Sequence, residues 1–238
     1  MKVSFCCSDG RSGIWLQLLQ QALPQARVSA WAPGAPAADH AVVWAPPQQF
    51  FDEQPGLRGI FNVGAGVDAL MRLRLPPRAV VVRLDDAGMA VQMAEYACQA
   101  VIRHYRQLPQ TEAAMRAGGW ASRLPPPRSQ FPVGVLGLGV LGRRVALALR
   151  HFDFPVLGWS RTHQTIDGLR CCSGPDGLDE VLAASRALIC LLPLTPQTSD
   201  ILNRRNLQRL PAGACVINLA RGGHLVEDDL LALLDSGH

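Results

Sequence analysis

Short apolar runs alternate with polar or helical segments along the whole chain. In the first third, four runs have the length and composition of buried strands. They are residues 2–7, 41–45, 58–63 and 79–84, and residues 13–23 have the spacing of an amphipathic helix. Strands that alternate with helices or loops predict a parallel sheet with crossover connections. This part of the chain therefore predicts a small α/β domain of the flavodoxin-like type.

A longer helical pattern follows the fourth of these strands. Apolar side chains recur at three- and four-residue spacing over residues 88–108, which predicts one long amphipathic helix. We interpret it as a spine between two domains that can also pack against a partner subunit. Residues 109–128 are Pro-rich with little periodicity, and their length favours an arm that docks on another surface. We expect domains at residues 1–103, with the spine helix at 88–108, and at residues 104–238.

The last part of the chain repeats the alternation of strands and helices. Four more apolar runs predict strands at 131–136, 154–159, 187–192 and 214–219, with helices near 178–184, 203–210 and 227–235. A doubly wound sheet normally has its fourth strand in the middle. Here only one helix follows that strand, so residues 214–219 are expected to form an apolar edge. We therefore expect a second parallel-sheet domain, of the Rossmann type, that is truncated at its C-terminal side.

A glycine motif joins the first of these strands to the helix after it. Gly137, Gly139 and Gly142 fit G-x-G-x-x-G between an apolar strand and a helical pattern. The first glycine permits a tight turn, the second lets backbone approach a pyrophosphate, and the third lets the helix pack on the strand. The helix N-terminus then offers N–H groups to the anion. The motif predicts a dinucleotide site, and a Gly-rich turn in another kind of α/β domain is the alternative.

The next strand ends in Ser160, Arg161 and Thr162, about 20 residues after the glycines. An acidic residue there would bind the ribose hydroxyls of NAD. A cation among hydroxyl groups suits the 2′-phosphate instead, so NADPH is favoured over NADH. The alternative is a solvated surface arginine.

Composition narrows the function classes. The chain has 238 residues, a net charge of +4 and no basic run with interleaved aromatic residues, which disfavours nucleic acid as a partner. Its seven cysteines include no C-x-x-C pair and no metal-ligand spacing, as expected for reduced thiols in the cytoplasm. Neither a signal peptide nor an apolar run of membrane-spanning length is present in the sequence. The G-x-x-x-x-G-K-[ST] motif of P-loop phosphotransferases is absent too.

Taken in order, six segments resemble the D-isomer-specific 2-hydroxyacid dehydrogenases, and within them the bacterial glyoxylate/hydroxypyruvate reductases of the A type. The segments are residues 64–68 (GAGVD), 88–96 (GMAVQMAEY), the glycine motif, 159–161 (WSR), 192–198 (LPLTPQT) and 218–223 (NLARGG). The resemblance extends over essentially the whole chain. It implies an N-terminal substrate domain, an NADP-binding Rossmann domain, an active site in the cleft between them, and a homodimer. The implied reaction is NADPH-dependent reduction of a small 2-keto acid, glyoxylate or hydroxypyruvate.

The resemblance also assigns roles to residues. Arg221 matches the catalytic arginine, whose planar fork can hold the keto oxygen and the carboxylate of the substrate. The backbone amides of Ala65, Gly66 and Val67 match the loop that receives that carboxylate, and Trp44 matches an aromatic residue bounding the pocket. The alternatives are an arginine that caps a strand, an ordinary turn and a core tryptophan. The cofactor contacts are Gly137, Gly139, Val140, Leu141, Gly142, Ser160, Arg161, Thr162, Leu192, Pro193, Thr198, Leu219 and Ala220. No metal site is expected.

The family's proton-donating histidine and its glutamate partner have no match in these 238 residues. His224 lies three residues after Arg221, and we interpret it as incidental. A general acid contributes about 10²–10⁴-fold to such rates, so the chain alone is expected to be nearly inactive. The alternative function is a remnant or fragment that binds NADP without catalysis. A regulator that recruits partners through the long helix is a third class, which no sequence feature favours.

Overall fold

The structure is a computed structural model that describes residues 1–8, 12–120 and 122–238. The chain divides into two units, Met1–Asp85 and Asp86–His238. Each unit is built on a five-stranded sheet whose paired strands are all parallel. The predicted class, two parallel-sheet α/β domains of which the first is flavodoxin-like and the second Rossmann-like, is confirmed.

In the described part of the first unit there are five strands, two α-helices and a short 3₁₀ helix (Leu70–Arg72). The strands and α-helices are β1 (Lys2–Cys7), α1 (Ser12–Ala22), β2 (Arg27–Ala30), β3 (His40–Trp44), α2 (Gln48–Glu53), β4 (Gly59–Asn62) and β5 (Val80–Arg83). The strand order is β2-β1-β3-β4-β5, the order of flavodoxin-like sheets. Neither β2 nor α2 was predicted, because each is too short to show a clear period: β2 has four residues, of which only Val28 is buried.

Both faces of the first sheet are covered at β1 and β3, whereas Phe61 of β4 and Val80 and Val82 of β5 are exposed. On one face the buried Phe50 and Phe51 of α2 pack in a cluster with Ile60. On the other face Leu16 and Leu19 of α1 join a cluster centred on β1, β2 and β3. The two central strands, β1 and β3, are apolar on both sides for this reason, which is why they form continuous apolar runs in the sequence.

The second unit contains five strands and six helices. They are α3 (Met89–Tyr105), α4 (Leu108–Arg116), β6 (Val133–Leu136), α5 (Val140–His151), β7 (Val156–Ser160), β8 (Arg170–Ser173), α6 (Gly174–Ala184), β9 (Ala187–Cys190), α7 (Arg204–Leu207), β10 (Cys215–Asn218) and α8 (Glu227–Asp235). The order is β10-β9-β6-β7-β8, which is the Rossmann order 3-2-1-4-5 counted within the unit. The strand near residues 214–219 lies at an edge as predicted, but it is the fifth strand of the unit and not the fourth, because β8 was not predicted.

Helices pack on both faces of the second sheet. Ala97 and Val101 of α3 share one buried cluster with Val145 and Leu149 of α5. The cluster on the opposite face contains Leu182 of α6 together with side chains of α7 and α8. Because α3 packs against α5, the long helix is grouped with the second unit, whereas the sequence analysis placed the domain boundary within it, after residue 103.

The predicted helix over residues 88–108 is two helices. The first ends at Tyr105, and Gln107 takes a left-handed conformation with φ of 52° before α4 begins. Pro109 lies in the first turn of α4, where its missing N–H costs no hydrogen bond. The Arg103 guanidinium then donates to Glu112 at 2.8 Å and joins α3 to α4. The segment predicted as an irregular connection thus begins with a helix, which was missed because Pro109 and polar residues obscure its helical spacing.

The far end of that segment is attached to an aromatic cluster. The Arg128 guanidinium lies 5.0 Å from the ring centroid of Tyr105 and 4.5 Å from that of Phe154. Phe131 contacts both rings edge-on or tilted, and the Tyr105 hydroxyl donates to the Pro126 carbonyl at 2.7 Å. The connection is therefore attached to the second unit at both of its ends.

Within the described residues no helix has the length and apolar character needed to cross a membrane.

Candidate active site

The predicted cofactor residues all follow strands of the second sheet. The glycine turn follows β6, residues 160–162 follow or end β7, residues 192–198 follow β9, and residues 219–221 follow β10. Because the strands are parallel, their carboxyl ends share one edge of the sheet. That edge is where open α/β sheets bind ligands, beside the strand at which the order reverses, here β6.

The glycine turn is shaped by close backbone packing. Gly137 has φ of +100°, and a Cβ there would lie 2.8 Å from the Leu191 carbonyl oxygen. A Cβ on Gly142 would overlap the carbonyl oxygen of Gly137. At Gly139, by contrast, a Cβ would meet no atom within 4 Å, so the middle of the turn faces open space. The outer two glycines are required by the fold, and the middle one leaves room for a ligand.

The N-terminus of α5 can receive an anion. Gly139 is its N-cap, and the Arg143 amide makes a helical bond to the Gly139 carbonyl at 2.8 Å. The amides of the first turn have no acceptor within a helix of this geometry. No acidic residue lies in that turn. Val140 is exposed and Leu141 half-buried beside these amides, so the N–H groups and the helix dipole favour a phosphate group there.

The end of β7 combines a fixed hydroxyl with an exposed cation. The Ser160 side chain is buried, and its hydroxyl donates to the Thr162 carbonyl at 2.8 Å. Arg161 and Thr162 are exposed. Ser160 thus shapes the turn that presents Arg161, and its proton is used within the protein.

The segment after β9 is held by Thr198. Its hydroxyl donates to the Pro193 carbonyl at 2.6 Å and accepts from the Thr195 amide at 2.9 Å. Leu192 is buried beneath this turn. Burial also raises the pKa of the nearby Cys190 thiol to about 11, so this thiol is protonated at neutral pH and does not act as a nucleophile.

Asn218 organises the loop that carries Arg221. Its side-chain oxygen accepts from the Ala220 amide at 3.1 Å, and its amide group donates to the Arg221 carbonyl at 2.8 Å. The Arg221 guanidinium donates to the Ala220 carbonyl at 2.9 Å and is half-buried. Leu219 and Ala220 therefore have a fixed backbone at the strand end.

His224 is not incidental, contrary to the expectation from sequence. Its side chain is completely buried. Nδ1 lies 3.1 Å from the Arg221 carbonyl oxygen, and Nε2 lies 3.4 Å from that of Pro193. The ring therefore joins the loop after β10 to the loop after β9. Spacing in the sequence did not reveal this, because Pro193 is 31 residues away.

The predicted substrate residues of the first unit lie after β3 and β4. Trp44 ends β3 and its ring packs against Gly64, where a Cβ would collide with it. The loop of Ala65, Gly66 and Val67 follows at once, each residue half-buried. Within this unit the structure thus brings Trp44 and the loop together.

Side-chain donors hold three consecutive carbonyls of that loop. The Asn62 amide donates to the carbonyls of Gly64 at 2.8 Å and Gly66 at 3.0 Å. The Arg83 guanidinium donates to the Ala65 carbonyl at 3.2 Å. With these carbonyls occupied, the backbone amides are the groups left to receive an anion. Sequence reasoning missed both donors, although an asparagine that ends a strand before glycines is a recognisable turn signal.

A search of known families supports the assignment of this edge of the sheet. Residues 98–238 match the family model described as D-isomer specific 2-hydroxyacid dehydrogenase, NAD binding domain. That is more than half of the chain, and it contains the glycine turn and Arg221. The chain belongs to the D-isomer-specific 2-hydroxyacid dehydrogenase family.

Individual relatives of the chain agree with the assignment. Glyoxylate/hydroxypyruvate reductase A of Serratia proteamaculans strain 568 is 43% identical over 230 residues, which cover 94% of this chain and 74% of the relative. The reductase of the same name from Yersinia enterocolitica is 41% identical over the same shares of both chains. The predicted resemblance is thus confirmed at the level of the family and of its A-type reductases.

Solved structures of the family show the same fold with NADP cofactors. A D-isomer specific 2-hydroxyacid dehydrogenase from Xanthobacter autotrophicus Py2, in complex with NADPH and MES, has a TM-score of 0.92 and 38% identity, over 100% of this chain and 78% of that one. The NADPH-dependent glyoxylate/hydroxypyruvate reductase from Sinorhizobium meliloti, in complex with NADP and sulfate, has a TM-score of 0.90 and 33% identity, over 99% and 78%.

The chain has five further histidines. They lie on β3 (His40), in α3 (His104), at the end of α5 (His151), in the exposed turn after β7 (His163) and at the last position (His238). Among the described residues no three histidine, cysteine or acidic side chains are grouped as a metal site would require.

Proposed function

We propose that this dehydrogenase binds NADPH in preference to NADH, and that its chemistry is the reduction of a small 2-keto acid such as glyoxylate or hydroxypyruvate to the 2-hydroxy acid. The observation that carries the proposal is that the glycine turn, Arg161 and Arg221 follow strands at the same edge of one Rossmann sheet. NADP cofactors in relatives that are 33% and 38% identical support the choice of cofactor.

The residues present fit the cofactor. The space in front of Gly139 admits a pyrophosphate close to the backbone, and the first amides of α5 are oriented to bind it. Arg161 would pair with the 2′-phosphate. The remaining predicted contacts line the same sheet edge, on the side of the nicotinamide ribose: Leu192, Pro193, Thr198, Leu219 and Ala220. When bound, NADPH supplies the hydride.

Arg221 is the residue of this chain that acts on the substrate. Its guanidinium would hold the keto oxygen and the carboxylate, and thereby orient the keto carbon and stabilise the negative charge that develops on the oxygen. We expect the amides of Ala65, Gly66 and Val67 to receive the carboxylate and Trp44 to limit the size of the substrate. Reduction is completed when the oxygen takes up a proton.

The proton source limits turnover of the 238-residue chain. His224, the histidine that contacts the Arg221 loop, directs both ring nitrogens at carbonyl oxygens. It is therefore unsuited to donate a proton to a substrate. We infer that the chain alone binds NADPH but reduces keto acids slowly, at a rate lowered by the ~10²–10⁴-fold that a general acid supplies. Binding of NADP without catalysis is the second candidate function, and this observation favours it.

A titration of the chain with each cofactor tests the proposal. NADPH should bind more tightly than NADH, and Arg161→Ala should weaken NADPH binding by about tenfold or more, because a charge-assisted bond to phosphate is lost. NADH binding should not change. Arg205→Ala, which removes an exposed arginine of α7 in the same unit, is the matched control. Equal loss of both cofactors in Arg161→Ala would contradict the proposed role.

Turnover separates the two candidate functions. Oxidation of NADPH by glyoxylate, followed by absorbance, should be slow in the unaltered chain and absent in Arg221→Ala, with cofactor binding retained in both. A rate that does not depend on Arg221 would exclude it from the mechanism. No turnover at all, with NADPH bound, would favour the non-catalytic function.

The second unit also suggests a homodimer. Tyr96 on α3 and Met115 on α4 are 60% and 63% exposed, and Trp120 and Leu124 after α4 are 90% and 95% exposed. Large apolar side chains exposed to this degree are typical of surfaces that a partner covers. Analytical ultracentrifugation should give the mass of two chains, and Trp120→Ser with Leu124→Ser should shift it towards one.

The seven cysteines support the predicted cytoplasmic location, since all are free thiols in the structure.

A further inference from the structure

His224 connects two loops that have different roles in the proposed function, one towards the substrate and one towards the nicotinamide ribose. One loop carries Arg221 and follows β10, and the other is the segment at Pro193 that follows β9. Each of the two carbonyls facing the ring also accepts a bond from its own loop: Asn218 donates to Arg221 and Thr198 donates to Pro193. The imidazole is the group that joins one carbonyl to the other.

The ring occupies a site that water does not reach. The side chain is fully buried, so an N–H of the ring must find its acceptor within the protein, and both facing oxygens are acceptors. A neutral imidazole carries one N–H and donates to one of the two oxygens, while the ring contacts the second loop. An aliphatic side chain of similar size would fill the space and bind neither carbonyl.

The backbone beside Arg221 is also held by main-chain bonds. Gly222–His224 form a 3₁₀ turn in which the His224 amide donates to the Arg221 carbonyl at 3.2 Å. The next residues are fixed, because the Leu202 amide donates to the His224 carbonyl at 2.8 Å and the Val226 amide donates to the Leu202 carbonyl at 3.2 Å. The ring adds a side-chain contact to the same Arg221 carbonyl and extends it to the Pro193 loop.

We propose that His224 is a positioning residue for Arg221: its buried imidazole sets the Arg221 loop at a fixed distance from the Pro193 loop, and so sets where the guanidinium meets a 2-keto acid beside the nicotinamide. This inference rests on the proposed function, since it concerns the same arginine. It predicts that a change at His224 acts on substrate binding through Arg221, although His224 itself touches no ligand.

Oxamate binding to the NADPH-saturated chain tests the inference, because oxamate has the carboxylate and carbonyl of a 2-keto acid but accepts no hydride. His224→Leu should weaken oxamate binding about tenfold, as expected for the loss of a buried hydrogen bond that orients the arginine. His224→Gln, whose amide group can donate to a carbonyl, should restore most of the affinity. His151→Gln, at an exposed site on α5, is the control and should bind as the unaltered chain does.

A double-mutant cycle distinguishes positioning from a general loss of structure. In an Arg221→Ala background, His224→Leu should weaken oxamate binding no further. Independent losses that multiply would overturn the inference, as would unchanged binding in His224→Leu. If the unaltered chain fails to bind oxamate, or binds it without dependence on Arg221, the proposed function and this inference fall together. If oxamate binding depends on Arg221 and not on His224, only the inference falls.

An NMR measurement tests the inference in variants that bind oxamate too weakly for a titration. The guanidinium Nε–H signal of Arg221 is identified in NMR spectra as the one missing from Arg221→Ala. It should move on substitution of His224 by leucine and return towards its original position in His224→Gln. His224→Asn, with a shorter amide that reaches one carbonyl, replaces the leucine variant if that one does not fold. An Arg221 signal unaffected by both substitutions contradicts the inference.

Discussion

The turn after β6 and the loop after β4, which we propose offer backbone amides to an anion, are shaped in two different ways. The β6 turn is shaped by missing side chains, since a Cβ at Gly142 or Gly137 would run into backbone atoms. The β4 loop is shaped by added side chains, since Asn62 and Arg83 bind three of its carbonyls. The first kind of turn is readable from the sequence, and the second depends on partners that only the folded chain brings together.

The largest effect should come from filling the β6 turn. Gly142→Ala places a methyl group against the Gly137 carbonyl, where no flexible side chain can move away, so the helix or the strand must shift. We expect a loss of about 3 kcal/mol of unfolding free energy and no measurable NADPH binding. Denaturant unfolding and a cofactor titration provide the two measurements.

Gly139→Ala is the control for that substitution. A methyl group there meets no protein atom, so the variant should keep nearly all of its stability. Its one defect should be weaker binding of NADPH. If both variants lose stability equally, the two glycines do not have the separate roles that the structure indicates.

A smaller effect is expected from the β4 loop. Asn62→Leu removes the donor to the carbonyls of Gly64 and Gly66 in a buried position, at a cost of about 2 kcal/mol in unfolding free energy. NADPH binding should be unchanged, because the glycine turn is in the other unit, whereas oxamate binding should weaken. Asn62→Asp, which keeps the shape but replaces a donor with an acceptor, should do no better than leucine. Recovery of stability in Asn62→Asp would contradict the hydrogen-bond explanation.

The smallest effect concerns the acid stability of the second unit. Hydrogen bonds from Arg103 hold the pKa of the Glu112 carboxyl below its usual value. A carboxyl whose pKa is lower in the folded chain stabilises the fold above its unfolded pKa, and this contribution is lost as the pH falls through the folded value. Thermal unfolding of the unaltered chain should therefore be more sensitive to pH below about 4 than that of Glu112→Gln. Because the pair is exposed, the difference should also shrink at high salt, and identical pH profiles would contradict it.

Much of the fold follows from local pattern. Buried strands such as residues 2–7 and the last helix at Glu227–Asp235 were predicted within a residue or two, because apolar runs and helical spacing record burial directly. The missed elements were the short β2, β8 and α2, and the helix α4, in which Pro109 and polar residues obscure the helical spacing. Four residues do not establish a period, and tertiary packing decides such segments.

In the candidate site, too, some residues could be predicted from local sequence pattern and others could not. Glycines and the arginine at strand ends were predicted because their chemistry repeats at known offsets from a strand. Asn62, Asn218 and His224 were not, because each acts by binding main-chain atoms. His224 is the extreme case: its importance is visible only from the two carbonyls that its ring faces.

The connection of residues 109–128 is attached to the second unit at both ends, and this affects how the chain responds to cleavage. At its start, Glu112 accepts a hydrogen bond from Arg103 of α3. At its end, the Arg128 guanidinium lies over the rings of Tyr105 and Phe154. Protease cleavage at Gly118 or Gly119 would then yield two pieces that stay together.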